Sequence, residues 1–405
     1  MWFDKILLIS FVLLPSCICL DTFTLNQAIK DGDVLVSGRE IFALGFFSAG
    51  NSSNRYVCRI AVNLILFYYV GVWYNQISNQ TVVWVANRDN HVPDTSGVLS
   101  INEDGGLVIY GNNRSFPLWS ANVTLSSPNN SIAKLLDTGN LVLLENEDSQ
   151  KVLWQGFDYP TDTMLPLMKI GLDRRSGLNR FLTSWKSKDD PGIGSCSFRL
   201  EPSGFPQMIL YKDGAPWWRS EVAPWVDQTW GTATTLVNNA DEVSIMSSAK
   251  NNQSNFSRTV LDESGTLGRF TWNDRAQKWI EIRSVPIERC DFYGQCGPNG
   301  NCNPYPTDTI DCTCLPGFEP KSPTDWYSRD GTDGCVKKKG VSTCRNGEKF
   351  VPLESKKIPD LSRALVNMDV THVSMKACEQ ECLTNCSCIA YSSSDKTGCV
   401  TGMGN

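Results

Sequence analysis

Histidine is nearly missing from this sequence: among 405 residues only His91 and His372 are of that type. Most His-dependent catalytic and zinc sites are therefore excluded, and carboxylate chemistry is the main route left to an active site. Basic clusters are scarce too. Acidic residues outnumber basic ones 43 to 37, and the longest basic block is Lys337-Lys338-Lys339. Nothing in that pattern would condense onto a phosphate backbone, which argues against a nucleic-acid partner. Beyond the amino terminus there is no run of 18 apolar residues, so no membrane-spanning helix is expected in this chain. A Gly-rich phosphate loop and a His-Arg-Asp catalytic segment are also missing, which removes phosphoryl transfer by these residues. Cysteine, by contrast, is plentiful: 16 in all, twelve of them between Cys290 and Cys399. Such a density points away from a reducing cytosol. The expectation is an extracellular, multi-domain, non-enzymatic protein.

The amino terminus agrees. Lys5 precedes a short apolar core from Ile6 to Leu14, then Pro15 and small residues. This is too short to span a bilayer and reads as a signal peptide over residues 1–20. Eight N-x-Ser/Thr sequons follow, at Asn51, Asn79, Asn113, Asn122, Asn129, Asn252, Asn255 and Asn385. In a secreted chain they predict a glycan-coated surface.

From Asp21 to about Arg283 the sequence shows short alternating runs separated by Asp/Asn/Gly/Ser clusters, as in Gly106-Leu107-Val108-Ile109-Tyr110. That rhythm belongs to a mainly β fold of sandwich, prism or barrel type. Residues 98–110, 132–144, 198–211 and 259–271 share one form: a strand, a turn holding an acid and a glycine, then another strand. Two copies precede residue 150 and two follow it, predicting two tandem β-domains of related build. Tryptophans spread over both halves, including Trp84, Trp119, Trp154, Trp272 and Trp279, are expected in the packing rather than as ligand platforms. Residues 58–70, CRIAVNLILFYYV, interrupt the pattern. Their apolar run is too short to span a membrane and too greasy for a surface loop, and reads as an atypical insertion.

Six cysteines follow: Cys290, Cys296, Cys302, Cys312, Cys314 and Cys335. Fewer than fifty residues cannot bury enough apolar surface alone, so disulfides are expected, with fifteen connectivities open. No Cys-x2-Cys pair and no nearby His supports zinc, and no complete ligand set supports calcium. The last block holds Cys344, Cys378, Cys382, Cys386, Cys388 and Cys399. Ser374 is a good N-cap for a helix from Met375 to about Leu383, which puts Cys378 and Cys382 on one face.

Several longer strings are more specific. They include Phe42-Ala43-Leu44-Gly45-Phe46-Phe47-Ser48, Thr81-Val82-Val83-Trp84-Val85-Ala86-Asn87-Arg88-Asp89, Leu135-Leu136-Asp137-Thr138-Gly139-Asn140-Leu141-Val142-Leu143, and Leu153-Trp154-Gln155-Gly156-Phe157-Asp158-Tyr159-Pro160-Thr161-Asp162-Thr163. Through them nearly the whole mature chain resembles the ectodomain of plant S-locus glycoproteins and G-type lectin receptor-like kinases. The resemblance implies tandem bulb-lectin-type β-prism domains, then a disulfide-rich EGF-like module and a partial α+β PAN/apple domain. The implied bounds are a bulb-type lectin domain at 21–150, an S-locus glycoprotein domain at 151–285, the EGF-like module at 286–336 and a PAN/apple domain at 344–405, cut short. It also implies disulfides Cys290–Cys302, Cys296–Cys312, Cys314–Cys335, Cys382–Cys388 and Cys378–Cys399, which leaves Cys344 and Cys386 to each other. Cys58 and Cys196 have no partner in the family pattern and are expected as free thiols. The transmembrane helix and kinase of full-length relatives are not present in these residues.

Bulb-type lectins bind mannose through Gln-x-Asp-x-Asn-x-Val-x-Tyr. The matching positions here are Asn102, Asp104, Gly106, Val108 and Tyr110, which keep the Asp, Val and Tyr. A second set, Leu136, Thr138, Asn140, Val142 and Leu144, has lost three of the five residues, its carboxylate included. Asn102, Asp104, Val108 and Tyr110 are therefore the candidate carbohydrate residues, with mannose binding expected to fail. The leading expectation is a secreted recognition module for a peptide or protein ligand, dimerising with another ectodomain in pollen recognition or defence signalling. A mannose-binding secreted lectin is the alternative. A glycosidase built on Asp158 and Asp162 is a third, weaker reading, because loop acids usually cap turns. No cofactor, metal or nucleic acid is expected.

Overall fold

The computed structural model describes residues 20–49, 67–123, 130–148, 151–202, 206–220, 231–248 apart from 231 and 232, 256–303, 311–340, 350–353, 364–367, 374–394 and 398–403. The expected signal peptide falls on residues of which all but Leu20 lie outside these. Strands in the first part of the chain are short, as the spacing of turn clusters dictates: β1 (Thr22–Thr24), β2 (Ala28–Lys30), β3 (Val34–Val36), β4 (Phe42–Ala49), β5 (Phe67–Tyr74), β6 (Val82–Val85), β7 (Val98–Ile101), β8 (Leu107–Tyr110), β9 (Trp119–Ser120), β10 (Ile132–Leu135), β11 (Leu141–Leu144) and β12 (Val152–Gln155). They make three four-stranded antiparallel sheets, ordered β3-β4-β5-β6, β2-β7-β8-β9 and β1-β10-β11-β12. The order is nested. The chain lays down one short strand for each sheet, then completes the sheets in reverse.

The inner strands β4, β5, β8 and β11 bury consecutive residues, so both of their faces are covered, and the fully buried side chains include Leu44, Phe46, Leu99, Leu107, Ile109, Leu135, Leu141 and Leu143. The last strand of every sheet contributes one tryptophan to a common cluster. Trp84, Trp119 and Trp154 meet edge to face, with ring centroids 5.7–6.3 Å apart, the geometry their quadrupoles favour. The repeats at 98–110 and 132–144 are the hairpins β7–β8 and β10–β11. Their turns need left-handed backbone, supplied by Gly105 (φ +79°) and Gly139 (φ +85°).

Two expectations are revised here. Residues 67–70, assigned to the insertion, form the first half of β5, pairing Phe47 with Tyr69 and Phe46 with Val70. Val70 N–H donates to the buried Asn87 Oδ1 at 2.8 Å, which pins the strand. Tyr69-Val70 repeats the dipeptide Tyr56-Val57, so a strand entering at either copy reads alike in sequence. Residues 50–66 lie outside the described residues. The other revision is the domain end. The chain divides into two units, Met1–Gly156 and Phe157–Asn405, because β12 pairs with β11 and completes the first domain beyond residue 150.

The second unit begins with a domain of the same nesting. Its strands are β13 (Thr163–Met164), β14 (Lys169–Asp173), β15 (Asn179–Arg180), β16 (Leu182–Ser187), β17 (Asp190–Glu201), β18 (Gln207–Lys212), β19 (Ala215–Arg219), β20 (Ala233–Asn238), β21 (Glu242–Ser248), β22 (Ser257–Leu261), β23 (Leu267–Asn273) and β24 (Lys278–Val285). The sheets run β16-β17-β18-β19, β15-β14-β21-β20 and β13-β22-β23-β24. Only the middle sheet is rewired: β14 pairs with the second returning strand, whereas β2 pairs with the first.

Beyond Val285 the elements are β25 (Gly300–Asn303), β26 (Asp311–Cys314), β27 (Phe318–Pro320), helix α1 (Pro323–Tyr327), β28 (Cys335–Lys337), β29 (Ala364–Asn367), helix α2 (Met375–Thr384), β30 (Cys388–Ser394) and β31 (Gly398–Met403). Bridges join Cys290–Cys302, Cys296–Cys312 and Cys314–Cys335, then Cys378–Cys399 and Cys382–Cys388. Cys386 is also disulfide-bonded; Cys344 lies outside the described residues. Ser374 caps α2, its side chain accepting from Ala377 N–H. Cys378 and Cys382, one turn apart, are the helix's buried residues and both are bridged. No helix among the described residues is long and apolar enough to cross a membrane.

Candidate functional site

The first candidate sugar site lies on the β7–β8 hairpin. Asn102 Oδ1 accepts the Gly106 N–H at 2.8 Å, and Asn102 Nδ2 donates to Asp104 Oδ2 at 3.4 Å. Both ends of that amide are thus engaged within the turn. Gly106 offers no side chain, although a Cβ there would meet Asn102 Oδ1 at 3.5 Å and the Ala121 carbonyl at 3.8 Å, ordinary contact distances. The residue type, not a lack of room, removes the amide that a lectin carries there. Val108 is 2% exposed, so its side chain is covered. Asp104 is exposed in the turn, and Tyr110 is half-buried at the far end of β8, paired with Val98.

At the second position, on β10–β11, Asn140 is buried and its Nδ2 donates to Gln155 Oε1 at 2.9 Å. Its backbone N–H donates to Thr138 Oγ1 at 3.4 Å. Val142 is buried, while Leu136 and Leu144 are half-buried. This hairpin spends its polar groups on the fold. The acids considered for glycoside hydrolysis are occupied likewise. Asp158 Oδ1 pairs with Arg180 Nε at 2.7 Å, and buried Asp162 accepts the Thr161 hydroxyl at 3.2 Å. Among the described residues no group of three His, Cys, Asp or Glu side chains is placed to hold a metal ion.

Of the sequon asparagines, Asn79, Asn113, Asn122 and Asn385 are exposed; Asn51, Asn129, Asn252 and Asn255 lie outside the described residues. Cys196 is a free, buried thiol, which burial pushes above its usual value. Cys58 lies outside the described residues.

Two hollows escaped the sequence reading. A pocket of about 410 Å³ on the β16–β19 sheet is lined by Asn179, Ser197, Arg199, Glu201, Tyr211 and Gly214. The signal was present in the Ser197-x-Arg199-x-Glu201 alternation, but a polar strand face is ordinary, and the facing Tyr211 arrives from the next strand. A cleft of about 400 Å³ between the two disulfide-rich modules includes Asn299, Phe318, Lys321, Asp333, Ser387 and Ile389; Lys321 and Asp333 pair loosely across 3.7 Å.

Family models match three stretches: a D-mannose binding lectin at residues 81–186, an S-locus glycoprotein domain at 211–322 and a PAN-like domain at 344–405. The chain is 45% identical over 395 residues to the Arabidopsis thaliana G-type lectin S-receptor-like serine/threonine-protein kinase RKS1, covering 95% of this chain and 45% of that protein. It therefore spans less than half the length of such kinases. It is 35% identical to the Brassica oleracea S-locus-specific glycoprotein S6, over 98% of this chain and 91% of that glycoprotein. A match of that extent, together with the tandem β-domains and the bridged carboxyl-terminal modules, places the chain in the S-locus glycoprotein family, which shares its lectin-like domains with the G-type lectin S-receptor-like kinases.

Proposed function

We propose that this chain is the extracellular recognition module of an S-locus-type receptor-like protein, entering the secretory route on residues 1–20 and binding a peptide or protein ligand. The observation that supports it most is the β7–β8 turn, where Asn102 is engaged by Gly106 and Asp104 and the covered Val108 offers no platform. Each missing polar partner costs about 0.5–1.5 kcal/mol, more where a sugar hydroxyl is left buried and unpaired. That loss is large against the weak affinity of a single pyranose. The module therefore works by binding and carries out no chemistry of its own. Ligand binding draws two ectodomains together, in pollen recognition or in defence. The test is sedimentation of the glycosylated chain with fractionated stigma, pollen-coat or microbial extracts. A dimerising activity destroyed by protease and resistant to glycosidase supports the reading. An activity with the opposite sensitivities overturns it.

The second reading, a mannose-binding lectin, draws on the matching lectin model and on Asp104 and Tyr110, which keep their lectin identities. Calorimetric titration with methyl α-mannoside decides it. No saturable heat is expected, whereas saturable binding lost in Asp104→Asn would establish the lectin.

A further inference from the structure

We propose that the pocket on the β16–β19 sheet is a carboxylate-binding subsite that takes an aspartate or glutamate side chain of a peptide ligand. The inference rests on the peptide-recognition reading above and adds the chemistry of one contact. Strand alternation on β17 turns Cys196, Phe198 and Leu200 into the core, where all three are buried, and leaves Arg199 exposed on the other face, with Glu201 half-buried. An exposed arginine is normally a loose chain with a solvated head. This one is held at two points. Its Nε donates to Ser197 Oγ at 3.0 Å, and its guanidinium carbon lies 4.1 Å from the centroid of the Phe181 ring. The Tyr211 ring stands 5.8 Å away on the paired strand. Edge and face of the guanidinium are thus fixed, so much of the entropy lost on binding a ligand is already spent in folding.

The Nη groups remain. Among the described residues no carboxylate lies within ion-pair distance of Arg199, and Ser197 is its hydrogen-bond partner. Arg199 lines the pocket, and the paired N–H groups of a guanidinium bind a carboxylate through two parallel hydrogen bonds. Burial, and then the nearby Glu201 carboxylate, push the Tyr211 phenol above its usual value, which keeps it a neutral O–H donor at the pocket wall. Asn179 adds an amide at the rim. Glu201 narrows the choice of ligand, because a second negative charge beside it is repelled; a monoanionic carboxylate fits better than a phosphate dianion. A uronic acid shares the carboxylate, but the Phe181 face that would carry the apolar side of a pyranose is covered by Arg199.

Ligand-observed saturation-transfer NMR on the intact, glycosylated chain tests this with four probes: Ac-Gly-Glu-Gly-NH2, its Gln counterpart, D-glucuronate and inorganic phosphate. The glutamyl peptide should bind with a millimolar dissociation constant, and the glutaminyl peptide about tenfold more weakly, as loss of a charge-assisted bidentate contact implies. Arg199→Gln should bring the two peptides level. Arg199→Lys should recover little of the difference, because an ammonium lacks the fork. Arg199 is exposed, so an unchanged thermal melt verifies that these variants fold. Equal binding of both peptides, no detectable binding of the glutamyl peptide, or an effect indifferent to Arg199→Gln would each overturn the subsite. Tighter binding of glucuronate or phosphate than of the glutamyl peptide would overturn its assignment to a peptide side chain. A failed subsite leaves the protease-sensitive dimerising ligand untouched, whereas a protease-resistant ligand with an intact glutamyl response rejects the parent reading and keeps the pocket.

Discussion

The two β-domains and the carboxyl-terminal third hold themselves together with different materials. Up to Val285 the buried apolar side chains are overwhelmingly aliphatic and aromatic, from Phe23 and Leu44 to Leu261 and Trp272. Beyond it, among the described residues, they are Leu315 and six half-cystines: Cys296, Cys335, Cys378, Cys382, Cys388 and Cys399. The difference follows from size. Three four-stranded sheets can close around a common interior, whereas two- and three-stranded sheets joined by a ten-residue helix cannot. Where apolar burial falls short, covalent bridges restrict the unfolded chain instead. Bridges of this kind form and persist in an oxidising compartment.

The largest break in the comparison should come from removing a bridge. Replacing both Cys378 and Cys399 with alanine opens a loop of sequence separation 21, worth about 3 kcal/mol. With so little other core, α2 should lose its protection from limited proteolysis while the β-domains keep theirs. Trp84→Ala is the converse experiment. It removes one ring of the three-tryptophan cluster, at a cost of about 3–5 kcal/mol, read as a lowered urea midpoint for the first β-domain with the bridges intact. A smaller effect is expected from Gly139→Ala, which forces a Cβ into left-handed backbone for about 1–2 kcal/mol, seen as a modest fall in the same midpoint. The mildest test concerns Cys196. Burial raises its pKa and so depletes the reactive thiolate. Iodoacetamide at mildly alkaline pH should leave it unmodified in the native protein and label it once the second β-domain is unfolded.

Much of this contrast was legible in the residues. The hairpins announced themselves because their sequences combine a polar residue with a glycine in the turn, and in the three turns that lie among the described residues the polar side chain bonds backbone amides, as at Asp262, whose Oδ1 accepts from the N–H groups of Ser264 and Thr266. The bridge pattern came from resemblance to known modules, since spacing alone left fifteen arrangements for the first six cysteines. The entry of β5 was hidden by the repeated Tyr-Val dipeptide, which supports two frames equally. The nested sheet order was also hidden: pairing β1 with β10 spans more than a hundred residues, and alternation fixes a strand's faces but not its partner. For the same reason Trp84, Trp119 and Trp154 read as scattered core residues rather than one cluster. The candidate sugar residues could be found by motif. That Asn102 is spent on its own turn could not, because a side chain's hydrogen-bond partner depends on the folded backbone.

Hydrogen exchange read by mass spectrometry, on the native chain with and without reductant, addresses the division most directly. Amides of β7, β8, β22 and β23 should stay protected after reduction, while those of β25, β26, α2 and β30 should exchange freely. Protection lost together throughout, or kept throughout, would contradict it.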